Sequence, residues 1–367
     1  MQVLPHLSKG GAERVVVELS NSLVELDNEV TVLLAYPVAE NLNQQDLNRK
    51  VNVQFVSANS ENRFFEYTKL PFWVVRNWKS LKTYDVIHCH LTYGLIFGFI
   101  IACLRKIERT TNIKLIATCH VVGVGVTTFP RILNEKLSYC FDHFVLMALD
   151  SKWRNFIGVK KRKNIQVIVN GISPNLASRK LRKIGKNSNY RIGTISRLQA
   201  ERKPWLFVDT FSQVHGLVEG HTQFILGGEG PERSALAMRS EKLGLGAVLS
   251  MPGLVQNPYA FLESLDLYIT LNVEAITGIA GLEAIFSGIP VIGIQLSPDY
   301  ESGATDWIWS DQEPMSVAQR IVELIRNPGE LSAIAEEQYE VASKKFSVVG
   351  MRNSYLTLYT AKESQSN

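Results

Sequence analysis

One rhythm constrains the fold of this chain more than any other feature. Short apolar runs ending in glycine or polar residues alternate with stretches of helical periodicity, and the rhythm starts afresh midway along the chain. Alternation of this kind marks parallel sheets assembled from strand-helix-strand units. The first set of strands is predicted at Met1 to Leu7, Val51 to Ser57, Asp85 to Cys89, Lys114 to Cys119, Phe144 to Ala148 and Ile165 to Val169. The second is predicted at Tyr190 to Ser196, Gln223 to Leu226, Val248 to Met251, Leu267 to Thr270 and Pro290 to Ile294. Helical patterns fall at Ala12 to Leu26, Trp205 to His215, Glu232 to Leu243, Gly281 to Ser287 and Met315 to Ile325.

Length agrees with a doubled architecture. A chain of 367 residues with 46% hydrophobic content exceeds one ordinary core and suits two domains of about 150 to 200 residues. The expected fold class is α/β, with two Rossmann-like domains whose parallel sheets face a central cleft. The first domain is placed at residues 1–176 and the second at 190–349, with a helix at 350–365 packing back on the first. Between them Ala177 to Asn189 has no apolar periodicity and reads as a linker.

The charge balance narrows the class of partner. A net charge of +4 is mild, and the basic residues gather in Arg105 to Arg109, Lys160 to Lys163 and Arg179 to Lys186. No nucleic-acid partner is expected. Local basic clusters can attract an anionic membrane surface, though most such runs are solvated faces. The four cysteines form no C-x-x-C pair, and Cys89 and Cys119 sit in apolar runs where reduced, packing thiols belong. No signal segment opens the sequence, and the most apolar stretch, Leu95 to Leu104, is too short to span a bilayer. A cytoplasmic protein, peripheral on the inner face of the membrane, is the expectation.

Ligands of open α/β sheets bind beyond the carboxyl ends of the strands, so the loops there carry the argument. Ser8 to Arg14, with Gly10 and Gly11, opens the first helix; a backbone without side chains lets a phosphate approach the positive helix end, and a plain tight turn is the other reading. It is not the G-x-G-x-x-G fingerprint, which counts against a nicotinamide enzyme. His88, Cys89 and His90 close one strand and His120 closes the next. Strand alternation sends Cys89 away from the two histidines, so no metal set is expected, and His90 and His120 are candidate polar contacts or else core histidines.

In the second half, Arg197 follows a strand, and Arg202 and Lys203 precede a helix. Fixed cations there would stabilise the charge of a departing diphosphate without a metal; surface charge is the bland alternative. Gly227 to Pro231 follows another strand and can be a flexible turn. The most informative stretch runs from Glu274 through Thr277, Gly278 and Ile279 to Glu283 and on to Gly288, Pro290 and Ile292. Its glycine turn offers backbone N–H groups, and a carboxylate one helical turn later can accept from two ribose hydroxyls.

In that order these motifs resemble glycosyltransferase family 4, retaining enzymes with the GT-B fold. The matching residues are Gly10 to Arg14, Asp85 to His90, His120, Asn170 to Ile172, Arg197 and Lys203, Gly228 to Pro231, and Leu282 to Ile292. The resemblance implies transfer of a sugar from a UDP- or GDP-linked donor to the hydroxyl of a glycan or lipid-linked acceptor, in cell-surface polysaccharide or glycolipid assembly. It further implies that Arg197 and Lys203 bind the diphosphate, with Arg202 as understudy, while Gly10 and Gly11 approach the donor. Glu283 would hold the ribose, Thr277 to Ile279 would give backbone contacts, and Leu254 would pass near the base. His120 would lie at the reacting sugar, with His90 on the acceptor side. No cofactor is implied, and the absence of an Asp-x-Asp pair argues against a metal-bridged diphosphate.

One departure from the family stands out: two glutamates normally separated by seven residues here have eight between them, at Glu274 and Glu283. Rival readings are a nucleotide-sugar epimerase of the same fold and a non-catalytic two-domain sugar-binding protein. Arg63 to Lys82 mixes Phe64, Phe65, Tyr67, Phe72, Trp73 and Trp78 with basic residues, as a membrane-lying segment would, or as a helix packed on its own sheet would.

Overall fold

Val3, Leu4, Val32, Leu33, Ile87, Leu115, Phe144 and Val145 are completely shielded from solvent. Strands apolar on both faces must be covered on both faces, which is the condition of a parallel sheet flanked by helices. In the computed structural model the described residues are 1–8, 10–37, 42–58, 63–108, 112–120, 128–147, 164–173, 189–218, 222–272, 278–295, 308–309 and 313–361. They divide into two units, Met1–Ile172 with Phe346–Asn367, and Ser173–Lys345. Of the expected linker only Asn189 lies among the described residues.

In the first unit seven strands run in parallel: β1 (Gln2–Leu4), β2 (Thr31–Leu34), β3 (Asn52–Phe55), β4 (Val86–His90), β5 (Lys114–Cys119), β6 (His143–Leu146) and β7 (Ile165–Val167). Their spatial order is β3-β2-β1-β4-β5-β6-β7. The helices are α1 (Gly11–Val24), α2 (Arg63–Arg76), α3 (Trp78–Leu81), α4 (Leu91–Glu108) and α5 (Thr128–Leu137). Strand β2 is absent from the sequence-based expectation. Val32 to Tyr36 is one unbroken apolar run shortly after an amphipathic helix, and periodicity alone does not separate such a run from more helix.

The most apolar stretch of the chain is the middle of α4, and its grease is spent on the sheet. Gly94 lies against the carbonyl of Val3 and the backbone of Cys89, and Gly98 lies against the Phe141 ring and the Cys89 thiol. A side chain at either position would push the helix off the strands. Among the described residues no helix is long and apolar enough to cross a membrane.

The second unit repeats the plan with β8 (Tyr190–Ile195), β9 (Thr222–Gly227), β10 (Leu249–Gly253), β11 (Leu267–Asn272), β12 (Val291–Gln295) and β13 (Ile308–Trp309) in the order β10-β9-β8-β11-β12-β13. Its helices are α6 (Trp205–Leu217), α7 (Arg233–Lys242), α8 (Pro258–Glu263), α9 (Ile279–Phe286), α10 (Pro314–Arg326) and α11 (Pro328–Lys345). Phe207, Val208 and Phe211 of α6 and Val317, Ile321 and Val322 of α10 share one core with Ile192, Phe224 and Leu267 of the sheet.

The last helix, α12 (Val348–Thr360), belongs to the first unit. The division falls at Phe346, earlier than position 350, because Ile172 donates its N–H to the Phe346 carbonyl at 3.1 Å and forms a parallel bridge with Ser347. At the far end Lys114 donates to the Tyr359 carbonyl at 2.9 Å and to that of Ala361. A cation there satisfies carbonyls left open by the helix terminus.

Candidate functional site

In both sheets the strand order reverses direction beside the first strand, between β1 and β4 in one unit and between β8 and β11 in the other. Ligands of open α/β sheets settle at that switch point, beyond the carboxyl ends of the strands. The candidate residues fall on the loops flanking it. Gly10 and Gly11 follow β1, His90 ends β4 and His120 follows β5. Arg197, Arg202 and Lys203 follow β8, and Gly278, Ile279 and Glu283 follow β11.

In the first unit the strand register gathers the histidines. Gln2 lies opposite His88, and His90 opposite Thr118, so that His120, two residues further on, joins the same face. The His88 and His90 rings touch with centroids 4.0 Å apart and planes tilted by 41°. His90 Nδ1 is 2.8 Å from His120 Nε2, and His90 Nε2 is 2.7 Å from Gln2 Oε1. His88 Nδ1 is 2.7 Å from the Tyr359 hydroxyl, and its Nε2 is 2.7 Å from Thr118 Oγ1, which in turn meets the Tyr355 hydroxyl at 2.9 Å. The Gln2 amide donates to Tyr359 at 3.3 Å. His90 is therefore wholly buried with both ring nitrogens occupied, which leaves it nothing to offer an acceptor directly. Its place is behind His120, whose Nδ1 is buried without a hydrogen-bond partner among the described residues. Among those residues no group of three or more His, Cys, Asp or Glu could hold a metal.

Burial keeps all three rings neutral. It pushes the His120 value down to about 4, and it holds His88 and His90 well below the usual imidazole range, with the neighbouring rings adding repulsion. In the unfolded chain these rings protonate near the ordinary value of 6.5. The stability they contribute is therefore complete above about pH 6.5 and is lost as pH falls towards the folded values. The first unit is expected to lose up to ~1.4 kcal/mol per pH unit for each histidine across that window. Urea unfolding followed from pH 7.5 to 4.5 measures it; a flat profile would show that the rings are not buried neutral.

The glycine turn of α1 serves its own helix first. Gly10 is the extended N-cap residue, and the Glu13 carboxylate folds into the space a side chain at Gly10 would fill. An incoming phosphate would meet that acid. Arg14 of the same motif is turned to Glu18 at 2.8 Å and Asp46 at 2.6 Å.

In the second unit three strand-end loops are zipped by backbone hydrogen bonds. Ser196 donates to Gly227, Leu198 to Glu229 and Gly228 to Gly253, at 2.8 to 2.9 Å. Gly228 (φ +131) and Gly230 (φ +157) have backbone angles that side chains disfavour, and they rest on the carbonyls of Ser196 and Leu198. The Gly227 to Pro231 segment is thus a brace beneath the Arg197 loop rather than a flexible turn. Arg197 is exposed and Lys203 half-buried, and among the described residues neither has a charged partner. Lys203 adopts a left-handed conformation (φ 47) as it joins a short 3-10 turn to α6. Leu91, directly after His90, does the same (φ 58). A left-handed non-glycine residue is strained, and such strain concentrates at functional sites.

Glu283 lies in α9 and is only 8% exposed. Its carboxylate is close enough to raise the Tyr268 hydroxyl, which burial first of all pushes up to about 12. Tyr268 accepts from Ile195 N and donates to Ile195 O, each at 3.2 Å, and so pins the end of β8 just before Arg197. Nothing in the sequence singles out Tyr268; its role appears only when β11 lies beside β8. Gly278 caps α9 and is exposed, while the helix ends in a Schellman turn in which Gly288 N donates to Ile285 O and Ile289 N to Ala284 O. Leu254 is exposed after β10. Glu274 and Thr277 lie outside the described residues.

Comparison with known proteins follows the same division. The family model Glycosyltransferase Family 4 matches residues 9–176, and the model Glycosyl transferases group 1 matches residues 189–327. N-acetyl-alpha-D-glucosaminyl L-malate synthase of Bacillus anthracis is 22% identical over 287 residues, covering 75% of this chain and 74% of its own. A 2-deoxystreptamine N-acetyl-D-glucosaminyltransferase of Niallia circulans is 23% identical over 334 residues, covering 80% of each. Anabaena HepE, solved in complex with UDP and glucose, superposes with a TM-score of 0.73 at 20% identity, covering 97% of each chain. The chain belongs to the family 4 glycosyltransferases and has their GT-B fold.

Proposed function

We propose that the protein moves a hexose from a UDP-linked donor to an acceptor hydroxyl with retention of configuration. The observation that carries this reading is the pair of cations, Arg197 and Lys203, at the end of β8, neither with a charged partner among the described residues, with the buried carboxylate of Glu283 beside the same strand end. As the bond from sugar to diphosphate breaks, negative charge grows on the leaving oxygens, and fixed cations stabilise it without reorganisation and without a metal. Glu283 accepts from the ribose hydroxyls. The open N–H groups at the start of α9 face the diphosphate or the sugar. His120 accepts from a hydroxyl of the sugar at Nδ1, and the leaving phosphate takes the acceptor's proton. UDP is favoured over GDP because HepE is described with UDP. Thermal shifts with UDP-, GDP- and ADP-sugars test the donor: the UDP compounds alone are expected to stabilise, by ~2.7 kcal/mol at a hundred times Kd. Stabilisation by GDP or ADP compounds instead would overturn the choice of base.

The acceptor belongs to cell-surface polysaccharide or glycolipid assembly in this reading, reached at an anionic membrane. Leu70, Val74, Trp78 and Leu81 turn inward on α2 and α3, whereas Phe72 (71% exposed) and Val75 (60%) lie outward among Lys69, Arg76 and Lys79. Trp78 is thereby removed from the membrane-facing set expected from sequence, since its indole donates to Glu108. Arg105 is removed too, by its pair with Asp142 at 2.7 Å. Each surface cation near an anionic bilayer contributes about 1 kcal/mol. Sedimentation with phosphatidylglycerol vesicles at low salt is expected, and Phe72→Ser with Lys79→Glu should abolish it; no sedimentation of the unaltered protein would remove the membrane from the scheme.

A further inference from the structure

The hydrogen bonds behind His120 have a direction. A neutral imidazole has one donor and one acceptor nitrogen, and a carboxamide has donors on one arm and an acceptor on the other. Gln2 turns its oxygen to His90 Nε2 and its nitrogen to the Tyr359 hydroxyl. His90 must then donate from Nε2 and accept at Nδ1. The donor to that Nδ1 is His120 Nε2, so the lone pair of His120 lies at Nδ1, the atom left without a partner among the described residues. At the other arm Tyr359 accepts from Gln2, gives its own proton to His88 Nδ1, and His88 passes the pattern to Thr118 from Nε2. Reversing one link alone would set two donors or two lone pairs against each other in a buried place, so the series holds or switches as a whole.

We infer that Gln2 and Tyr359 are positioning residues for sugar transfer: the C-terminal helix, acting through the Gln2 amide and His90, holds His120 in the tautomer that presents a lone pair at Nδ1 to a hydroxyl of the reacting sugar. This rests on the reading that His120 meets the sugar. It gives α12 a task beyond packing. The final helix of the chain is held on the first unit by Lys114, by Tyr355 and Tyr359 against the His88 ring at 4.9 and 5.8 Å, and by Met351, whose sulfur accepts from Gly171 N at 3.2 Å. Tyr359 delivers from that helix the hydroxyl that orients Gln2. A purely structural tyrosine would need only its ring.

The test uses the full-length, 15N-labelled protein. Long-range 1H–15N spectra of the imidazoles at neutral pH, with His120 assigned by its loss in His120→Gln, are expected to give the Nε2–H tautomer. Tyr359→Phe and Gln2→Met should shift His120 towards a mixture of tautomers and lower kcat about tenfold, the worth of one hydrogen bond, while leaving the affinity for UDP unchanged because UDP lacks the transferred sugar. Gln2→Glu, whose carboxylate still accepts from His90, should restore both the spectrum and the rate. An Nδ1–H tautomer in the unaltered protein overturns the inference. So does a normal spectrum and rate in Tyr359→Phe, the variant to rely on if Gln2→Met does not fold. Near-normal transfer by His120→Gln has a different meaning: it removes His120 from the sugar and leaves the tautomer result standing.

Discussion

Arg197→Ala is expected to lower kcat/KM for transfer by about two to three orders of magnitude, the loss that follows removal of one fixed donor from a developing anion. The unfolding midpoint should not move, because Arg197 is exposed and has no charged partner among the described residues, and surface replacements of that kind stay within ~0.5 kcal/mol. The loop it stands on is held by backbone bonds from Ser196 and Leu198 to the carbonyls of Gly227 and Glu229, which the substitution leaves in place. Lys203→Gly sharpens the point. It removes the second cation and also relieves a left-handed backbone at φ 47, so activity should fall while stability holds or rises. Steady-state transfer assays with a UDP-sugar and parallel thermal melts measure both quantities. Near-normal turnover in Arg197→Ala would take the diphosphate away from this strand end.

Glu283→Gln should weaken UDP binding by about ten- to a hundredfold, since hydrogen bonds to a charged group contribute ~1.5–3 kcal/mol. The isosteric amide keeps the packing of a residue that is 8% exposed, so the fold should survive. The diagnostic comparison is with a 2′-deoxy donor. The unaltered enzyme should discriminate strongly against it, and Glu283→Gln should hardly discriminate at all, because the partner of the missing hydroxyl has already been weakened. Equal discrimination by both proteins would place Glu283 elsewhere than on the ribose.

Much of this candidate site was legible in the sequence, for a physical reason. Parallel strands bury both faces, so they read as apolar runs, and the polar residues that interrupt them mark the loops where ligands bind. Arg197, Lys203, His120 and Glu283 were singled out in that way, on the loops and helix starts that follow such runs. Strand β2 was not, because Val32 to Tyr36 has no period to distinguish strand from helix. Trp78 looked like a membrane residue because it stands among basic residues, yet its position one turn after Val74 turns it inward, to Glu108. The spacing of Glu274 and Glu283 differs from the family's, and Glu274 lies outside the described residues.

Sequence by itself determined the repeated strand-helix plan, the family and the loops proposed to carry the chemistry, since all three are written in local pattern and order. Tertiary structure decided what stands behind those loops. His90 is a backing residue and not a contact, Tyr268 pins β8, and Gly228 and Gly230 brace the Arg197 loop, because strands far apart in the chain are neighbours in the sheet. The pairing of Gln2 with Tyr359, 357 positions apart, is the extreme case. No local pattern records it, because a hydrogen bond that sets the protonation of a third residue depends on two distant stretches of chain that meet only in the fold.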